Sequence, residues 1–237
     1  MRGLKDKRVL ITGGAGAIGA ATAARFLEEG SRVVLLDRDE AALERIEGEL
    51  ATLSGSINAD VSDAEAVGWA FKELDELLAG VDVLINNAGI SIRHRFLDIS
   101  PQEWREVMEV NLNGVFFAAQ QAARRMSAGK GGVILNMGST NGLMGYHYYA
   151  DYNASKAGVI ELTRSGPGTG THGTRQCRLS GFYPDTYAGS GIHAGNAACL
   201  CRKAALEQVR PAGRRGRPLR LSRFRGRELY HRAVFRD

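Results

Sequence analysis

The 237-residue sequence predicts a three-layer α/β protein, in which helices cover both faces of a doubly wound parallel sheet. Two observations predict this fold class. Apolar runs of five to eight residues alternate along the chain with longer segments of helical periodicity, which is the rhythm of strand–helix–strand units. A Gly-rich turn also joins the first apolar run directly to the first helical segment.

The predicted elements follow one another in strict alternation. Apolar residues are concentrated at 8–12, 32–37, 56–61, 81–87 and 132–139, which we expect to be strands. Helical periodicity and end signals predict helices at 17–30, 40–50, 64–78 and 101–126, and another from about residue 150 to 164. Pro101 begins the fourth of these helices, at a position where its missing N–H has no intrahelical partner to lose.

The balance of charge reverses near Ser165. Up to that residue 17 Lys and Arg accompany 22 Asp and Glu, whereas the remaining 14 basic and 4 acidic residues of the chain follow it. Such a basic tail is typical of proteins that bind nucleic acids or membranes, and the Arg-rich run at 214–227 is its strongest part. A non-catalytic nucleic-acid-binding protein that uses this tail is therefore the alternative from another functional class.

The start of the chain has neither the apolar core nor the cleavage site of a signal peptide. No run of about 18 apolar residues could span a bilayer. Residues 1–165 contain no Cys, as is common in a reducing compartment. We therefore expect a cytoplasmic protein without a membrane partner.

The turn TGGAGAIG, at 12–19, has the composition of a phosphate-binding loop. Glycines let the backbone approach a pyrophosphate, whose charge is favoured by the free N–H groups of the following helix. Asp37 ends the second strand, 18 residues after Gly19, where a carboxylate accepts hydrogen bonds from ribose hydroxyls and repels a 2′-phosphate. Arg38 could contact such a phosphate, but the Gly-rich turn contains no basic residue to assist it. The pattern predicts a Rossmann-like dinucleotide site and favours NAD over NADP.

Three further residues form a candidate catalytic group. Tyr152 and Lys156 are four residues apart and share one face of a helix, and Ser139 follows the fifth strand. A phenol has a pKa near 10 and is a poor base at neutral pH, whereas a neighbouring ammonium favours the phenolate. Ser139 would hold a substrate oxygen at the carboxyl edge of the sheet, where open α/β folds bind ligands.

These residues belong to a longer series of motifs. In chain order the motifs are TGGAGAIG (12–19), LLDRD (35–39), ADV (59–61), NNAG (86–89), NLNG (111–114), NMGS (136–139) and YNASK (152–156). Their order and spacing resemble the short-chain dehydrogenase/reductase family over residues 5–165. One position departs from the family pattern, because Ala17 stands where the cofactor loop usually has Gly, and its methyl group would crowd the pyrophosphate.

The resemblance implies a role for each matching residue. Tyr152 would be the catalytic acid or base, Lys156 would lower its pKa and bind the nicotinamide ribose, Ser139 would hold the reacting oxygen, and Asn111 would anchor a water of the proton relay. The implied cofactor-binding residues are Gly13, Gly16, Ile18, Gly19, Asp37, Arg38, Asp60, Val61, Asn87, Ala88, Gly89, Tyr152 and Lys156. No metal is implied.

The resemblance also implies an activity. We expect an oxidoreductase that transfers a hydride between NAD(H) and a secondary alcohol or its ketone, with a small-molecule substrate and no nucleic-acid partner. An NADPH-dependent 3-oxoacyl-thioester reductase is the alternative within the family. A homodimer or homotetramer is expected from the helices at 101–126 and 150–164, provided that the C-terminus is intact.

The sequence leaves the family pattern after Ser165. A member would continue with phrases resembling LALELAP, RVNAVCPG and SYITG, and none of these is present. The genetic code allows codons for residues 165–171, 174–185 and 221–232 that encode such family phrases when translation starts one base later. We therefore hypothesise a reading-frame shift that leaves a Rossmann-fold NAD-binding and catalytic domain at 1–165 and an aberrant segment at 166–237. A physical segment of this kind would deprive the sheet of its last two strands.

Overall fold

The computed structural model describes residues 3–165 and the backbone of one later segment, Cys177–Phe182. The strands are β1 (Arg8–Thr12), β2 (Arg32–Asp37), β3 (Gly55–Asn58), β4 (Val83–Asn86), β5 (Gly132–Met137) and β6 (Cys177–Phe182). The helices are α1 (Ala17–Glu28), α2 (Glu40–Glu49), α3 (Ala64–Leu78), α4 (Pro101–Met108), α5 (Gly114–Ala128) and α6 (Ala150–Arg164). Short 3-10 turns lie at Phe96–Asp98 and Thr140–Gly142.

The strands pair in parallel in the order β3-β2-β1-β4-β5-β6, which is the doubly wound arrangement that the sequence predicts. Alternate residues of β1 enter opposite faces: Leu10 joins the core beneath α3 and α5, and Val9 and Ile11 join the core beneath α1 and α2. Both faces are therefore apolar, which explains the unbroken apolar runs. The predicted third, fourth and fifth strands were too long, because the parallel pairing ends at Asn58, Asn86 and Met137.

The fourth predicted helix is not regular. A π-helical segment, Glu109–Asn113, separates α4 from α5, although the sequence predicts one uninterrupted helix. At this turn the helix packs tightly against the neighbouring loop, since a Cβ on Gly114 would lie 2.9 Å from the Val61 carbonyl oxygen. The wider turn brings the side chain of Asn111 onto the backbone of Ile90.

The apolar residues of this helical stretch mostly face the core. Val107, Val110 and Ala118 are buried, and Phe117 packs against the same core, so these residues are not free for a subunit interface. Phe116 is 43% exposed and remains available on α5. In the described part of the chain, no helix combines the length and apolar character that crossing a bilayer requires.

The sixth strand corrects one expectation. We expected an out-of-frame tail to leave β5 without a neighbour, but Cys177–Phe182 pairs with β5 over its full length, from Gly132↔Cys177 to Met137↔Phe182. Parallel pairing uses backbone N–H and C=O groups, and this segment contains no Pro to interrupt it. The expected loss of a seventh strand concerns residues 166–176 and 183–237, which lie outside the described part of the chain.

Candidate active site

The Gly-rich turn is fixed by close packing between β1, α1 and the end of β4. Gly13 has a φ of 63°, and a Cβ there would lie 2.7 Å from the Cα of Ala88. A Cβ on Gly19 would lie 2.2 Å from the Gly13 carbonyl oxygen, so neither position accepts a side chain without movement. The free N–H groups at the start of α1 consequently line an open cleft.

The backbone accommodates Ala17, the residue that stands where the family pattern usually has Gly. Ala17 is the first residue of α1, and it is not among the described residues with a positive φ. An L side chain is therefore unstrained at this position. Its methyl group nevertheless lines the cleft, where it is expected to crowd a pyrophosphate.

Two strand ends are tied together beside this turn. The Thr12 hydroxyl oxygen accepts hydrogen bonds from the N–H groups of Asn87, at 3.1 Å, and Ala88, at 3.2 Å. The Asn87 amide donates to the Gly13 carbonyl oxygen at 2.9 Å. Asn87 and Ala88, which belong to the NNAG motif at 86–89, are thus held against the Gly-rich turn by direct hydrogen bonds.

Asp37 supports the same turn from β2. One of its carboxylate oxygens accepts from the N–H of Ala15 at 3.1 Å, and the other accepts from the N–H of Asp39 at 3.2 Å. The neighbouring Arg38 guanidinium lies 3.8 Å from the Asp60 carboxylate. Burial acts to raise the pKa of Asp60, but hydrogen bonds from Ser62 and the charge of Arg38 outweigh it and lower that pKa. Asp60 is therefore charged at neutral pH and draws Arg38 toward itself.

These groups enclose a cavity of about 410 Å³ at the carboxyl edge of the sheet. Ten of the predicted cofactor-binding residues line it: Gly13, Gly16, Ile18, Asp37, Arg38, Asp60, Val61, Asn87, Ala88 and Gly89. Gly19 lies behind the turn, where it serves packing. Sequence reasoning missed the apolar lining, Leu36, Ala59, Ile90 and Val110, although each adjoins a predicted residue or a predicted strand end.

The predicted catalytic residues meet beyond β5. Ser139 is fully buried after the strand and exchanges hydrogen bonds with Asn141 at 3.2 Å. On α6, the Lys156 ammonium donates to the Met137 carbonyl oxygen at 2.8 Å and lies 5.7 Å from the centroid of the Tyr152 ring. The Nδ2 of Asn111 lies 3.1 Å from the Ser155 Oγ, which connects the π-helical segment to α6. The four predicted catalytic side chains therefore occupy one region.

The titration behaviour of this group differs from the sequence expectation. Burial raises the pKa of Tyr152, and the interaction with Ser139 lowers it by a smaller amount. Burial also lowers the pKa of Lys156 to about 8. The sequence predicts a lowered Tyr152 pKa, whereas burial holds that pKa above its ordinary value in this structure.

A buried polar chain positions α6 on the sheet. The Asn86 amide donates to Asn136 Oδ1 at 2.9 Å, and the Asn136 amide donates to the Thr163 hydroxyl at 3.1 Å. Thr163 in turn donates to the Val159 carbonyl oxygen at 2.6 Å. These bonds join β4, β5 and α6, so they help to fix the helix that carries Tyr152 and Lys156.

Comparison with known proteins gives a consistent result. The family model described as short chain dehydrogenase matches residues 7–168. Galactitol 2-dehydrogenase (L-tagatose-forming) of Cereibacter sphaeroides is 40% identical over 158 residues, which cover 65% of this chain and 62% of that protein. The 3-oxoacyl-[acyl-carrier-protein] reductase FabG of Vibrio cholerae is 32% identical over 218 residues, covering 91% of this chain and 86% of that protein.

Solved structures show the same fold. A short chain dehydrogenase from Mycobacterium smegmatis is 30% identical, with a TM-score of 0.77 over 86% of this chain and 88% of that chain. An NAD⁺-bound xylitol dehydrogenase is 32% identical, with a TM-score of 0.66 over 68% of this chain and 64% of that chain. The chain thus spans less than two thirds of the galactitol and xylitol dehydrogenases that it matches. Because the family model matches well over half of its residues, the chain belongs to the short-chain dehydrogenase family.

Proposed function

We propose that the protein is an oxidoreductase that transfers a hydride between NAD(H) and a secondary alcohol or the corresponding ketone. The observation that carries the proposal is the juxtaposition of two groups at one edge of the sheet. The cavity of about 410 Å³ beside the Gly-rich turn includes Gly89. A Cβ on Gly89 would lie 3.7 Å from the Lys156 ammonium, so the cavity reaches the group that contains Ser139 and Tyr152.

The residues of this cleft suit a dinucleotide. The start of α1 offers free N–H groups and the positive end of the helix dipole to a pyrophosphate. Asp37 also lines the cavity, where it would accept hydrogen bonds from the adenosine ribose. An ammonium has three donors, and among the described residues the Met137 carbonyl accepts one from Lys156, so the others would be available to the nicotinamide ribose.

The protein's own residues would manage the oxygen and the proton of the substrate, while the bound nicotinamide would accept or supply the hydride. Ser139 would hold the substrate oxygen by a hydrogen bond. Tyr152 would give its phenolic proton to that oxygen during reduction and take it during alcohol oxidation. Since burial raises the pKa of Tyr152, its phenol is protonated at neutral pH, which is the form that reduction requires.

The preference for NAD rests on Asp37 and Arg38. The Asp37 carboxylate would repel a 2′-phosphate, and Arg38 is drawn toward Asp60 and away from that role. We expect NAD to give the higher kcat/KM over a panel of secondary alcohols, and the Asp37→Ser variant to shift the NAD-to-NADP ratio toward NADP by about 30- to 100-fold. The measurement is the initial rate at 340 nm with each cofactor.

The matched control for this change is Asp39→Ser. Asp39 caps α2 by accepting from the Ala42 N–H at 3.0 Å, and Ser preserves such a cap while removing a nearby charge. Its cofactor ratio should stay within about threefold of the unmodified protein. A higher kcat/KM with NADP than with NAD in the unmodified protein would favour the alternative, an NADPH-dependent 3-oxoacyl-thioester reductase, which the similarity to FabG supports.

We further propose that residues 166–237 are translated from a shifted reading frame. We also propose that the protein acts in the cytoplasm without a nucleic-acid partner. With an intact C-terminus it would form a homodimer or homotetramer. Peptide mass mapping of the purified protein tests the first point. We expect in-frame peptides containing VNAVCPGF in an active enzyme. Peptides containing GFYPDTYAGSG would show that the protein carries the out-of-frame tail, and we then expect no NAD-linked turnover. Salt-dependent RNA binding that disappears on deletion of 210–237 would contradict the exclusion of nucleic acid.

A further inference from the structure

His94 makes two contacts with the segment that precedes Tyr152. Its imidazole Nε2 lies 2.8 Å from one carboxylate oxygen of Asp151, and its backbone N–H donates to the Tyr148 carbonyl oxygen at 3.1 Å. The other Asp151 oxygen accepts from the N–H of Tyr152 at 2.7 Å. The Asp151 carboxylate therefore connects His94 directly to the backbone of the proposed catalytic residue.

The first turn of α6 depends on this carboxylate. The N-cap residue, Tyr149, provides no side-chain hydrogen bond to the helix. Asp151 accepts a helix N–H instead, and its negative charge lies near the positive end of the helix dipole. Because Asp151 is completely buried, its charge requires a hydrogen-bonded partner, and His94 supplies one.

His94 also joins separate parts of the active-site rim. It belongs to the loop between β4 and α4, and its side chain is only 11% exposed. Its Nδ1 lies 3.7 Å from the carboxylate of Glu103, which is bound in the capping box at the start of α4. The side chain thus lies between the starts of α4 and α6, and its contact with Asp151 is shorter than its contact with Glu103.

We infer that His94 is a positioning residue: its contact with Asp151 fixes the first turn of α6 and thereby the place of the Tyr152 phenol. The inference rests on the proposed function, since Tyr152 is the residue that would transfer the proton. Asp151 and Tyr152 are adjacent, so a displaced carboxylate displaces the Tyr152 backbone to which it is bonded. A shift of about 1 Å in a reacting group is enough to reduce turnover by about 100-fold.

Two substitutions of His94 separate its hydrogen bond from its bulk. His94→Leu keeps a side chain of similar size without a donor, and His94→Gln restores an N–H donor. We expect kcat to fall by about 10- to 100-fold in His94→Leu and to stay within about threefold in His94→Gln. The Kd for NADH and the KM for substrate should stay within about threefold in both, because among the described residues the polar contacts of His94 go to Asp151, Glu103 and Tyr148.

Glu103→Gln is the matched control. Gln preserves a capping box with Ser100, while the substitution removes the charge that faces the other imidazole nitrogen. Because that contact is 3.7 Å long and the Glu103 side chain is 42% exposed, kcat should change by less than about twofold. A large effect of Glu103→Gln, equal to that of His94→Leu, would show that the loop as a whole matters, and would overturn the specific role of the Asp151 contact.

A second measurement does not depend on turnover. The chain has seven Tyr residues, so ¹⁹F NMR of protein labelled with 3-fluorotyrosine is practicable, and the Tyr152 line is assigned by its loss in Tyr152→Phe. We expect the line to keep its position in His94→Gln and to move in His94→Leu. An unmoved line, or a higher KM with unchanged kcat in His94→Leu, overturns the inference.

If the unmodified protein turns over no alcohol with either cofactor, the proposed function fails, and the ¹⁹F comparison alone decides the role of His94.

Discussion

Replacement of Tyr152 by Phe is expected to lower kcat by about 1,000-fold while leaving the Kd for NADH within about twofold. The substitution removes only the phenolic oxygen, which is the group proposed to exchange a proton with the substrate. The ring keeps its edge-to-face contact with Tyr149, at a centroid distance of 6.4 Å, and its position beneath the Lys156 ammonium. Folding and cofactor binding should therefore survive the loss of turnover.

Tyr149→Phe is the appropriate control for this experiment. Tyr149 precedes α6, its ring contacts that of Tyr152, and no role in the reaction is assigned to its hydroxyl. We expect its kcat to remain within about threefold of the unmodified protein. Steady-state rates and fluorescence titration with NADH provide the two readouts. A Tyr152→Phe variant that retains more than a tenth of the turnover would show that another group moves the proton.

The features that the sequence predicted well are those decided by local pattern. Strands buried on both faces require nearly continuous apolar residues, which makes β1 and β2 visible in the sequence. The Gly-rich turn is recognisable because Gly13 needs a positive φ and Gly19 has no room for a side chain. Ten predicted cofactor residues line one cavity for a related reason, since parallel strands all end at the same edge.

The features that the sequence did not predict depend on contacts between distant segments. The π-helical turn at Asn111 accompanies its bonds to Ile90 and Ser155, which are 21 and 44 residues away. Asp151 and His94 are 57 residues apart, so the sequence does not reveal their contact. The only signal for Asp151 in the sequence is an acidic residue in the first turn of the predicted helix, next to Tyr152. The pKa of Tyr152 depends on burial, which a spacing of four residues between Tyr and Lys does not reveal.

Lys156 shows how stability and chemistry oppose one another at this site. Its ammonium is buried, and desolvation lowers its pKa from 10.5 to about 8. The unfolded chain therefore holds more protons than the folded protein between pH 8 and 10.5. Stability should rise with pH through that window, and the full penalty for burying the charge applies below pH 8. A shift of this size corresponds to about 3 kcal/mol.

Lys156→Met is consequently expected to remove turnover and to stabilise the fold at neutral pH. We expect kcat to fall by at least about 100-fold and the free energy of unfolding at pH 7 to rise by about 2 kcal/mol, because an apolar side chain replaces a buried charge. The gain should shrink as the pH rises toward 10.5, where the unfolded lysine also loses its proton. Urea unfolding at several pH values between 7 and 10 measures this difference.

Lys72→Met controls for the general effect of removing a lysine. Lys72 is exposed on α3 and lies 3.7 Å from the centre of the Trp69 ring, so its ammonium remains in contact with water. Its free energy of unfolding should differ from that of the unmodified protein by a small amount that does not depend on pH. If Lys156→Met instead lowers stability equally at every pH, the ammonium is not desolvated in solution. Lys156 would then stabilise the fold, and the fold would not bear a cost for keeping this charge beside Tyr152.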